Sequence, residues 1–415
     1  CYHTRGGRPL EGRLTVQGAK NSALPLLAAS LLCGGPCRLR SVPALADVDT
    51  SLALLQAVGA DAQRCGADIC TRPADALCGE IPDYLAGAMR SSVFYLAPLL
   101  CRAGYVRLPL PGGCRLGPRP VDIHLAGLAS MGAEVELEGI AVTLRRKGPL
   151  HGVDFTLRLP SVGATMTLLM AACCAQGRTV LRGAAREPEI GDMIAFLCAC
   201  GADISGYGTS ILTVQGGRPL GGAVHAPLPD RIAAATYAAA LAAAGGDIRI
   251  TGCDPALYGA FLQFLAQTGV QIENGPDWAG LGRNPAVPLR GGVQLCADAW
   301  PAFATDTAPL AAAVLLAAEG KSEIFDRLFP NRFACAAGFA AMGAEVTAKG
   351  RRLMIAGGSR LRGAAVTAPD LRGGAALLVA ALGADGTTTL RDPGHIRRGY
   401  ADLPGEIRRL GAEIG

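Results

Sequence analysis

A cysteine in a loop rich in glycine and proline is the first residue whose surroundings indicate chemistry. The segment PGGCRLGPRPVD spans residues 111–122, and this composition is typical of a surface binding loop or lid. Cys114 is followed directly by Arg115, and Arg119 comes four residues later. A neighbouring cation lowers the pKa of a thiol and makes it more reactive. We therefore predict a reactive Cys114; the alternative is an incidental cysteine in a cysteine-rich chain.

A second group of polar residues lies at predicted helix starts, each after a Leu-x-Gly turn and a strand. A helix N-terminus carries unpaired N–H groups and partial positive charge, so several that converge form an anion site. Ordinary capping is the alternative, but capping alone does not require a neighbouring Lys or Arg. The group consists of Lys20, Asn21, Ser161, Asp230, Arg231, Asp306, Asp370 and Arg372.

A repeated unit is expected to position these helix starts. Its mark is a Gly-Ala-acidic signature that occurs six times, once in a weaker form. The six glycines are spaced by 73, 69, 68, 74 and 68 residues, a period of about 70. Each signature follows an apolar stretch with helical spacing and precedes a short alternating strand. The glycine predicts a left-handed helix end. The copies begin at Gly59, Gly132, Gly201, Gly269, Gly343 and Gly411.

Composition excludes several classes of protein. Half of the 415 residues are apolar and 18% are charged, which is inconsistent with global disorder. The net charge of +5 is mild and no dense basic run occurs, so we expect no nucleic-acid partner. The longest apolar run, at residues 232–244, is too short to cross a bilayer, which predicts a soluble protein. The 15 cysteines show no paired C-x-x-C pattern and predict reduced cytosolic thiols without a metal site.

Ordered motifs over nearly the whole chain resemble those of the UDP-N-acetylglucosamine enolpyruvyl transferases. The Cys114 loop is one of them, and the others are spread on both sides of it. They include GAKNSALP at 18–25, MRSS at 89–92, SVGAT at 161–165, AREPEI at 185–190, PDRI at 229–232, PAFATD at 301–306, NRF at 331–333, DLR at 370–372 and HIRRGY at 395–400.

The resemblance implies an α/β fold of two inside-out lobes, each made of three repeated units of about 70 residues. On this basis residues 20–229 form the lobe with the Cys114 loop, and residues 1–19 and 230–415 form the other. The implied active site lies in the cleft between the lobes. The implied reaction transfers the enolpyruvyl group of phosphoenolpyruvate to the sugar 3′-hydroxyl with release of phosphate, the first committed step of peptidoglycan synthesis, in the cytoplasm.

The resemblance also implies a role for individual residues. Cys114 matches a loop cysteine implicated as acid and in product release and alkylated by fosfomycin, and Asp306 matches the carboxylate that takes the hydroxyl proton. Lys20, Arg119 and Arg398 match residues that hold the phosphate of phosphoenolpyruvate, with Arg332 and Arg372 beside them. The remaining matches are further cleft residues and uridine-nucleotide contacts: Asn21, Arg90, Arg119, Pro120, Val121, Asp122, Ile123, Ser161, Val162, Gly163, Leu328, Asp370 and His395.

Several positions depart from the family pattern. Leu159 stands in place of a Lys near the uridine diphosphate, and the adjacent Arg158 is predicted on a strand, where it points to the other face. Ala304, Thr307 and Ala308 replace a Pro and a Met-Gln pair around Asp306. These changes reduce the number of predicted nucleotide contacts and leave the predicted anion-binding residues in place.

Two alternatives follow from the departures. The first is an enolpyruvyl transferase that uses a different nucleotide acceptor, and the second is a catalytically weak paralogue that binds a nucleotide sugar. The related transferase acting on shikimate phosphate is less compatible, because it lacks the Pro-Gly-Gly-Cys loop. The predicted partners are small molecules, with no membrane partner, no metal and no organic cofactor.

Overall fold

A computed structural model describes residues 1–109 and 121–415. It divides this part of the chain into two compact units. The terminal unit comprises residues 1–17 and 229–415, and the central unit comprises residues 18–109 and 121–228. These bounds lie within two residues of the predicted lobe limits at 20 and 229. Residues 110–120, with the predicted site residues Cys114, Arg119 and Pro120, are outside the described residues.

The described residues form short strands and helices that alternate along the chain. The strands are β1 Tyr2–Arg5, β2 Leu10–Thr15, β3 Cys37–Leu39, β4 Asp61–Cys65, β5 Asp68–Arg72, β6 Tyr105–Pro109, β7 Glu134–Glu138, β8 Ala141–Arg145, β9 Asp154–Thr156, β10 Gly177–Arg182, β11 Asp203–Ser205, β12 Ile211–Gly216, β13 Val224–His225, β14 Gly246–Thr251, β15 Gln271–Asn274, β16 Trp278–Arg283, β17 Gln294–Asp298, β18 Phe303–Ala304, β19 Ser322–Asp326, β20 Val346–Lys349, β21 Arg352–Ile355, β22 Ala365–Thr367, β23 Thr387–Arg391 and β24 Glu413–Ile414.

The α-helices are α1 Lys20–Ala29, α2 Ala46–Ala57, α3 Asp83–Ala88, α4 Leu96–Ala103, α5 Asp122–Ser130, α6 Val162–Cys174, α7 Pro188–Ala199, α8 Arg231–Ala244, α9 Gly259–Thr268, α10 Ala308–Leu315, α11 Ala336–Ala341, α12 Leu371–Leu382 and α13 Leu403–Arg409. The 3₁₀ helices are Ser30–Leu32, Arg90–Tyr95, Pro255–Tyr258, Thr305–Thr307 and Ile396–Arg398.

The sheets of both units repeat one pairing pattern. The central unit has the sheets β13-β3-β5-β4, β9-β10-β12-β11 and β6-β8-β7, and the terminal unit has β2-β14-β16-β15, β18-β17-β19-β21-β20 and β22-β23-β1-β24. In each sheet one strand pairs in parallel with one neighbour and antiparallel with the other, as β14 does with β2 and β16. In the smallest sheet the parallel partner of β6 is reduced to a bridge between Glu80 and Arg107. The prediction of six related copies is confirmed.

The six signature glycines end helices in the predicted way. Each follows an α-helix, precedes a strand of the sheet in its own copy, and has a φ between 90° and 104°. L-residues with a side chain rarely adopt this left-handed conformation, whereas glycine adopts it without strain. The glycines are Gly59, Gly132, Gly201, Gly269, Gly343 and Gly411.

Each unit encloses buried helices behind its sheets. In the terminal unit α8, α10 and α12 pack on one another, and each also contacts a different sheet. These helices are almost entirely buried and rich in Ala. Because Ala has a small side chain, the helices can pack closely on one another. One hydrophobic core runs from Leu10 to Ile414 through the terminal unit, and a second, from Ala23 to Leu220, lies within the central unit. The expected inside-out arrangement of helices and sheets is confirmed.

Across residues 1–109 and 121–415, none of the helices combines the length and the apolar character that a membrane span requires.

Candidate active site

A carboxylate flanked by two guanidinium groups lies at the start of α10 in the terminal unit. Asp306 belongs to the 3₁₀ helix that leads into α10. Its Oδ1 lies 3.1 Å from Nη2 of Arg332, and its Oδ2 lies 3.5 Å from Nη2 of Arg372. A carboxylate that accepts a proton must be ionised, and two adjacent positive charges favour that form. The structure thus brings together three residues that the sequence analysis assigned to one site.

Arg332 is held in a fully buried position by Asp326 and Thr305. Its Nε donates to Thr305 Oγ1 at 3.0 Å and lies 3.6 Å from Asp326 Oδ2, while Thr305 itself donates to that carboxylate. The guanidinium carbon lies 4.6 Å from the centroid of the Phe329 ring. The Nη1 atom of Arg332 is buried and forms no hydrogen bond with the described residues. A buried donor of this kind is costly unless a ligand satisfies it, and an anion would do so.

Asp326 also fixes the turn that carries Leu328. Its Oδ1 accepts hydrogen bonds from the backbone N–H groups of Leu328 at 2.8 Å and Phe329 at 2.7 Å. Asp326 was not among the predicted site residues, because its role depends on Arg332 folding back across the turn. A buried acidic residue at the end of β19 was the available signal.

Arg372 is oriented by a chain of hydroxyl groups. Its Nη1 donates to the hydroxyl of Tyr400 at 3.3 Å, and that hydroxyl lies 2.8 Å from Thr236 Oγ1. Thr236 in turn donates to the carbonyl of Ile232 at 2.8 Å, so the proton of Tyr400 is directed to Thr236. This chain connects the first turn of α12 with α8. Tyr400 was named within a motif and not as a site residue, and the structure gives it a positioning role.

The aspartates at the starts of α8 and α12 act as N-caps. Asp370 Oδ1 accepts from the N–H groups of Arg372 and Gly373, each at 2.9 Å. Asp230 Oδ1 accepts from the first N–H groups of α8 in the same way. The capping alternative raised for these residues therefore describes their local contacts, and the cap on α12 fixes the backbone of Arg372.

Arg398 ends the short 3₁₀ helix Ile396–Arg398, which comes shortly before Tyr400, and His395 directly precedes this element. Asp392 caps this element by accepting from the N–H groups of Gly394, His395 and Ile396 at 2.7–3.1 Å. The element also contacts α12, which carries Arg372. Arg398 is half-buried. Both predicted residues thus belong to a segment whose C-terminal end is joined to the Asp306 cluster through Tyr400.

In the central unit, Lys20 is paired with a buried carboxylate. Its Nζ lies 2.7 Å from Asp47 Oδ2, and the exposed fractions of the two side chains are 13% and 4%. Lys20 begins α1, and Asp47 lies in the first turn of α2, so the ion pair fixes the direction of the ammonium group. Asp47 was not predicted. Asn21 follows Lys20 in the first turn of α1 and is half-buried.

A buried histidine gathers the other predicted residues of the central unit. His124, on α5, is hydrogen-bonded through Nδ1 to Thr167 at 3.0 Å, and its Nε2 faces Gly163. Burial and, to a smaller extent, the charge of Arg90 lower the pKa of His124 to about 4, and the charge of Asp122 opposes this shift. Arg90, Asp122 and Gly163 therefore lie around one neutral imidazole. His124 was not predicted, although its position beside the loop motif was a usable signal.

The neighbouring residues complete this part of the central unit. Ser161 caps α6, where its side chain accepts from Ala164 N–H at 3.3 Å, and Val162 and Gly163 form the first turn. Val121 immediately precedes α5, and Ile123 is buried in its first turn.

The prediction that Arg158, next to Leu159, lies on a strand is wrong. Strand β9 ends at Thr156, so Arg158 lies in a bend and not on a strand. Its Nη2 forms an ion pair with Asp122 Oδ2, while Leu159 is 41% exposed. The alternation of side chains along a strand does not apply to Arg158, because β9 ends two residues before it. The bend therefore places a guanidinium beside Asp122, a predicted uridine contact.

Six copies of one α/β repeat in two inside-out units define the fold class of the enolpyruvyl transferases. The solved structure of the enolpyruvyl transferase NikO from Streptomyces tendae matches with a TM-score of 0.90 and 26% identity, covering 100% of this chain and 98% of that one. EPSP synthase from Acinetobacter baumannii matches the fold with a TM-score of 0.76 and 18% identity, over 100% and 99% of the two chains.

The sequence relatives define the family. The family model for EPSP synthase (3-phosphoshikimate 1-carboxyvinyltransferase) matches residues 4–407. The UDP-N-acetylglucosamine 1-carboxyvinyltransferase of Cellvibrio japonicus is 40% identical over 410 residues, which cover 99% of this chain and 97% of the relative. The enzyme of the same name from Escherichia fergusonii is 40% identical over 414 residues, covering 100% and 98%. The chain belongs to the EPSP synthase family and is an enolpyruvyl transferase.

Proposed function

We propose that this enzyme transfers the enolpyruvyl group of phosphoenolpyruvate to the 3′-hydroxyl of UDP-N-acetylglucosamine and releases phosphate. The observation that carries the proposal is the similarity to full-length relatives of that activity, at 40–41% identity over 99% or more of the chain. Phosphoenolpyruvate and a nucleotide sugar are small anionic substrates, and the product serves peptidoglycan synthesis. We place the reaction in the cytoplasm, where these substrates occur, and assign it no metal or organic cofactor.

The proposed binding of phosphoenolpyruvate rests on the distribution of positive charge. The substrate carries about three negative charges on its phosphate and carboxylate, and planar guanidinium groups bind both groups through paired hydrogen bonds. Two such groups lie in the terminal unit: the buried Arg332, whose Nη1 has no hydrogen-bond partner in the part of the chain that the structure describes, and the oriented Arg372. Lys20, Arg119 and Arg398 are assigned to the phosphate by their match to the family motifs.

The proposed chemistry needs one base and one acid. Asp306 accepts the proton of the sugar 3′-hydroxyl as its oxygen attacks C2 of phosphoenolpyruvate, while an acid protonates the methylene carbon. We assign the acid to Cys114, on the loop outside the described residues. The tetrahedral adduct then loses phosphate, and the proton gained at the methyl carbon is lost as the enolpyruvyl double bond re-forms.

The uridine nucleotide is assigned to segments of both units by their match to the family motifs. Residues 119–123, Ser161 to Gly163 and Leu328 match the nucleotide contacts of the family. The helix start at α6 and the Asp122–Arg158 pair provide N–H and charged groups suited to a nucleotide diphosphate.

A second candidate is enolpyruvyl transfer to a different nucleotide acceptor. It is favoured by one observation: Leu159 presents an exposed apolar side chain where the family has a Lys near the diphosphate. The guanidinium of Arg158 is engaged by Asp122 nearby. A change of charge at this point affects the acceptor and leaves the chemistry at Asp306 untouched.

One assay separates these candidates. The purified enzyme is incubated with phosphoenolpyruvate and a panel of acceptors, and phosphate release is followed continuously. Release that depends on UDP-N-acetylglucosamine supports the main proposal. Release with another nucleotide only supports the second candidate. No release at saturating substrates, with tight nucleotide-sugar binding retained, contradicts both and indicates a binding paralogue.

A further inference from the structure

Three cysteine side chains from separate elements meet inside the central unit. Cys33 follows the 3₁₀ helix Ser30–Leu32, Cys37 begins β3, and Cys200 directly follows α7. Their exposed fractions are 1%, 2% and 3%. None of the residues assigned to the transferase reaction lies on these elements, so the cluster calls for a separate explanation.

The three sulfur atoms have the spacing of ligands around one ion. Cys33 Sγ and Cys200 Sγ are 3.5 Å apart, and all three Sγ atoms lie within 4.8 Å of one another. A zinc–sulfur bond is about 2.3 Å long, so two thiolates on one ion are separated by roughly 3.8 to 4.0 Å. A single ion at the centre of this triangle reaches all three sulfurs after small movements of the side chains.

The surroundings of Cys37 favour the thiolate form of its side chain. Hydrogen bonds from the thiols of Cys200 and Cys33 lower the pKa of Cys37, and the Ala223 N–H and the Thr71 hydroxyl act in the same direction. The thiolate is the form of cysteine that binds metals. A cation at the centre would take the place of the two donated protons.

The backbone around the cluster is rigid and close to the surface. Cys33 and Cys37 flank an exposed turn, Gly34-Gly35-Pro36. A Cβ at Gly35 would lie 2.6 Å from the backbone nitrogen of Gly222, so the turn packs tightly against the segment before β13. This packing holds the backbone of the turn that joins Cys33 to Cys37.

Ordinary packing of small apolar side chains is the competing explanation. Cys101 and Cys174, in the same unit, show what that looks like: two half-buried thiols share a hydrogen bond beside the core. Zinc takes four ligands, and two sulfurs supply only half of them. At Cys33, Cys37 and Cys200 a third sulfur closes the triangle, and the Thr71 side chain points to the same place.

We propose that Cys33, Cys37 and Cys200 form a three-thiolate site for a soft d¹⁰ cation, either zinc or monovalent copper. Such cations prefer sulfur ligands. Monovalent copper is satisfied by three sulfurs, whereas zinc takes a fourth ligand. Binding releases the thiol protons to solvent, so the affinity increases with pH. The site holds together Cys33, Cys37 and Cys200 and thereby stabilises the central unit.

The test compares metal content in matched variants of the full chain. Reduced, metal-free protein is dialysed against zinc sulfate or against monovalent copper as its acetonitrile complex, and bound metal is measured by mass spectrometry. Exposed cysteines such as Cys65, Cys78 and Cys296 bind metal as well, so the difference between variants is decisive. We expect wild type and Cys174→Ala to hold one equivalent of one of the two ions more than Cys37→Ala.

A second measurement does not depend on the folding of a variant. Wild-type protein with and without each ion is treated with iodoacetamide during brief partial denaturation, and modified peptides are quantified. We expect the ion to protect Cys33, Cys37 and Cys200 together, at least tenfold, and to leave Cys101 unaffected. Equal metal content in wild type and Cys37→Ala, or protection confined to exposed cysteines, overturns the proposal. Neither measurement uses enzyme activity, so the proposal stands or falls independently of the transferase function.

Discussion

Asp306 is the residue on which the proposed chemistry depends most. Its two carboxylate oxygens face two different arginines, Arg332 and Arg372, so its direction is set from both sides. Each arginine has its own support, through Asp326 and Tyr400 respectively. A base that is already held in its reactive orientation can accept a proton without first changing conformation, which favours rapid catalysis.

Replacement of Asp306 tests this role. Asp306→Asn keeps the size of the side chain and removes its ability to accept a proton, so we expect kcat to fall at least about 10²-fold. Steady-state phosphate release is the measurement. Asp385→Asn, which removes an exposed aspartate that pairs with Arg360, is the matched control and keeps normal activity. A near-normal rate for Asp306→Asn would move the base elsewhere.

The cap on α12 allows a prediction that separates structure from charge. Asp370→Ala removes the side-chain acceptor for Arg372 N–H and Gly373 N–H, so we expect about 1 kcal/mol less stability and weaker binding of phosphoenolpyruvate. Asp370→Asn retains a capping oxygen and restores most of both properties. Urea unfolding and the KM for phosphoenolpyruvate are the measurements. A loss as large with Asn as with Ala would show that the negative charge itself is required.

Many of the predicted site residues lie at or beside the start of a helix, as the local sequence signals indicated. The glycine signature predicted six helix ends because the left-handed conformation is a local property of one residue. The partners Asp47, Asp326 and His124 escaped prediction, because each acts through a contact made only after distant elements pack. Arg158 shows the opposite error, since a strand pattern was extended two residues too far.

The contact between α5 and α6 makes stability depend on pH. Burial lowers the pKa of His124 to about 4, against 6.5 in an unfolded chain. The unfolded state therefore binds more protons between these values, and stability rises with pH in that range and is fully present above 6.5. The titration of His124 changes the free energy of unfolding by up to about 3 kcal/mol across this range.

Unfolding measured across that pH range checks the prediction. His124→Asn is expected to flatten the rise in stability between pH 4 and 6.5. His3→Asn, at an exposed histidine, should leave the rise as in wild type. Identical pH dependence in wild type and His124→Asn would show that another group titrates in its place.

In the molecule as a whole, the two units have separate cores, and the terminal unit is built from both ends of the chain. The described residues of the central unit, 18–109 and 121–228, come from one region of the sequence, whereas the terminal unit takes β1 and β2 from the N-terminus. Strand β1 lies between β23 and β24. The repeat period predicted the six copies, because each copy carries its signature glycine after a helix. It did not predict that β1, β2 and β13 join sheets whose other strands lie far away in sequence. Nor did it predict the cluster of Cys33, Cys37 and Cys200, because Cys200 is distant in sequence from the other two. The location of the active site between the units stays a prediction.

This organisation predicts how fragments of the chain behave. A fragment of residues 18–228 contains three complete sheets and a whole core, so we expect it to fold alone and unfold cooperatively. A fragment of residues 229–415 lacks an inner strand of one sheet and the edge strand of another, and we expect it to remain unfolded. Circular dichroism during thermal unfolding distinguishes the two. A central fragment without a cooperative transition would contradict the assignment of separate cores.

Identification of the product tests directly whether the enzyme transfers an enolpyruvyl group to the 3′-hydroxyl of UDP-N-acetylglucosamine. The enzyme is incubated with phosphoenolpyruvate and the nucleotide sugar, and the nucleotide product is analysed by mass spectrometry and NMR. We expect an enolpyruvyl ether on O3, formed in equal amount with the released phosphate. Phosphate released without any nucleotide product, or an ether formed only on a different acceptor, would contradict it.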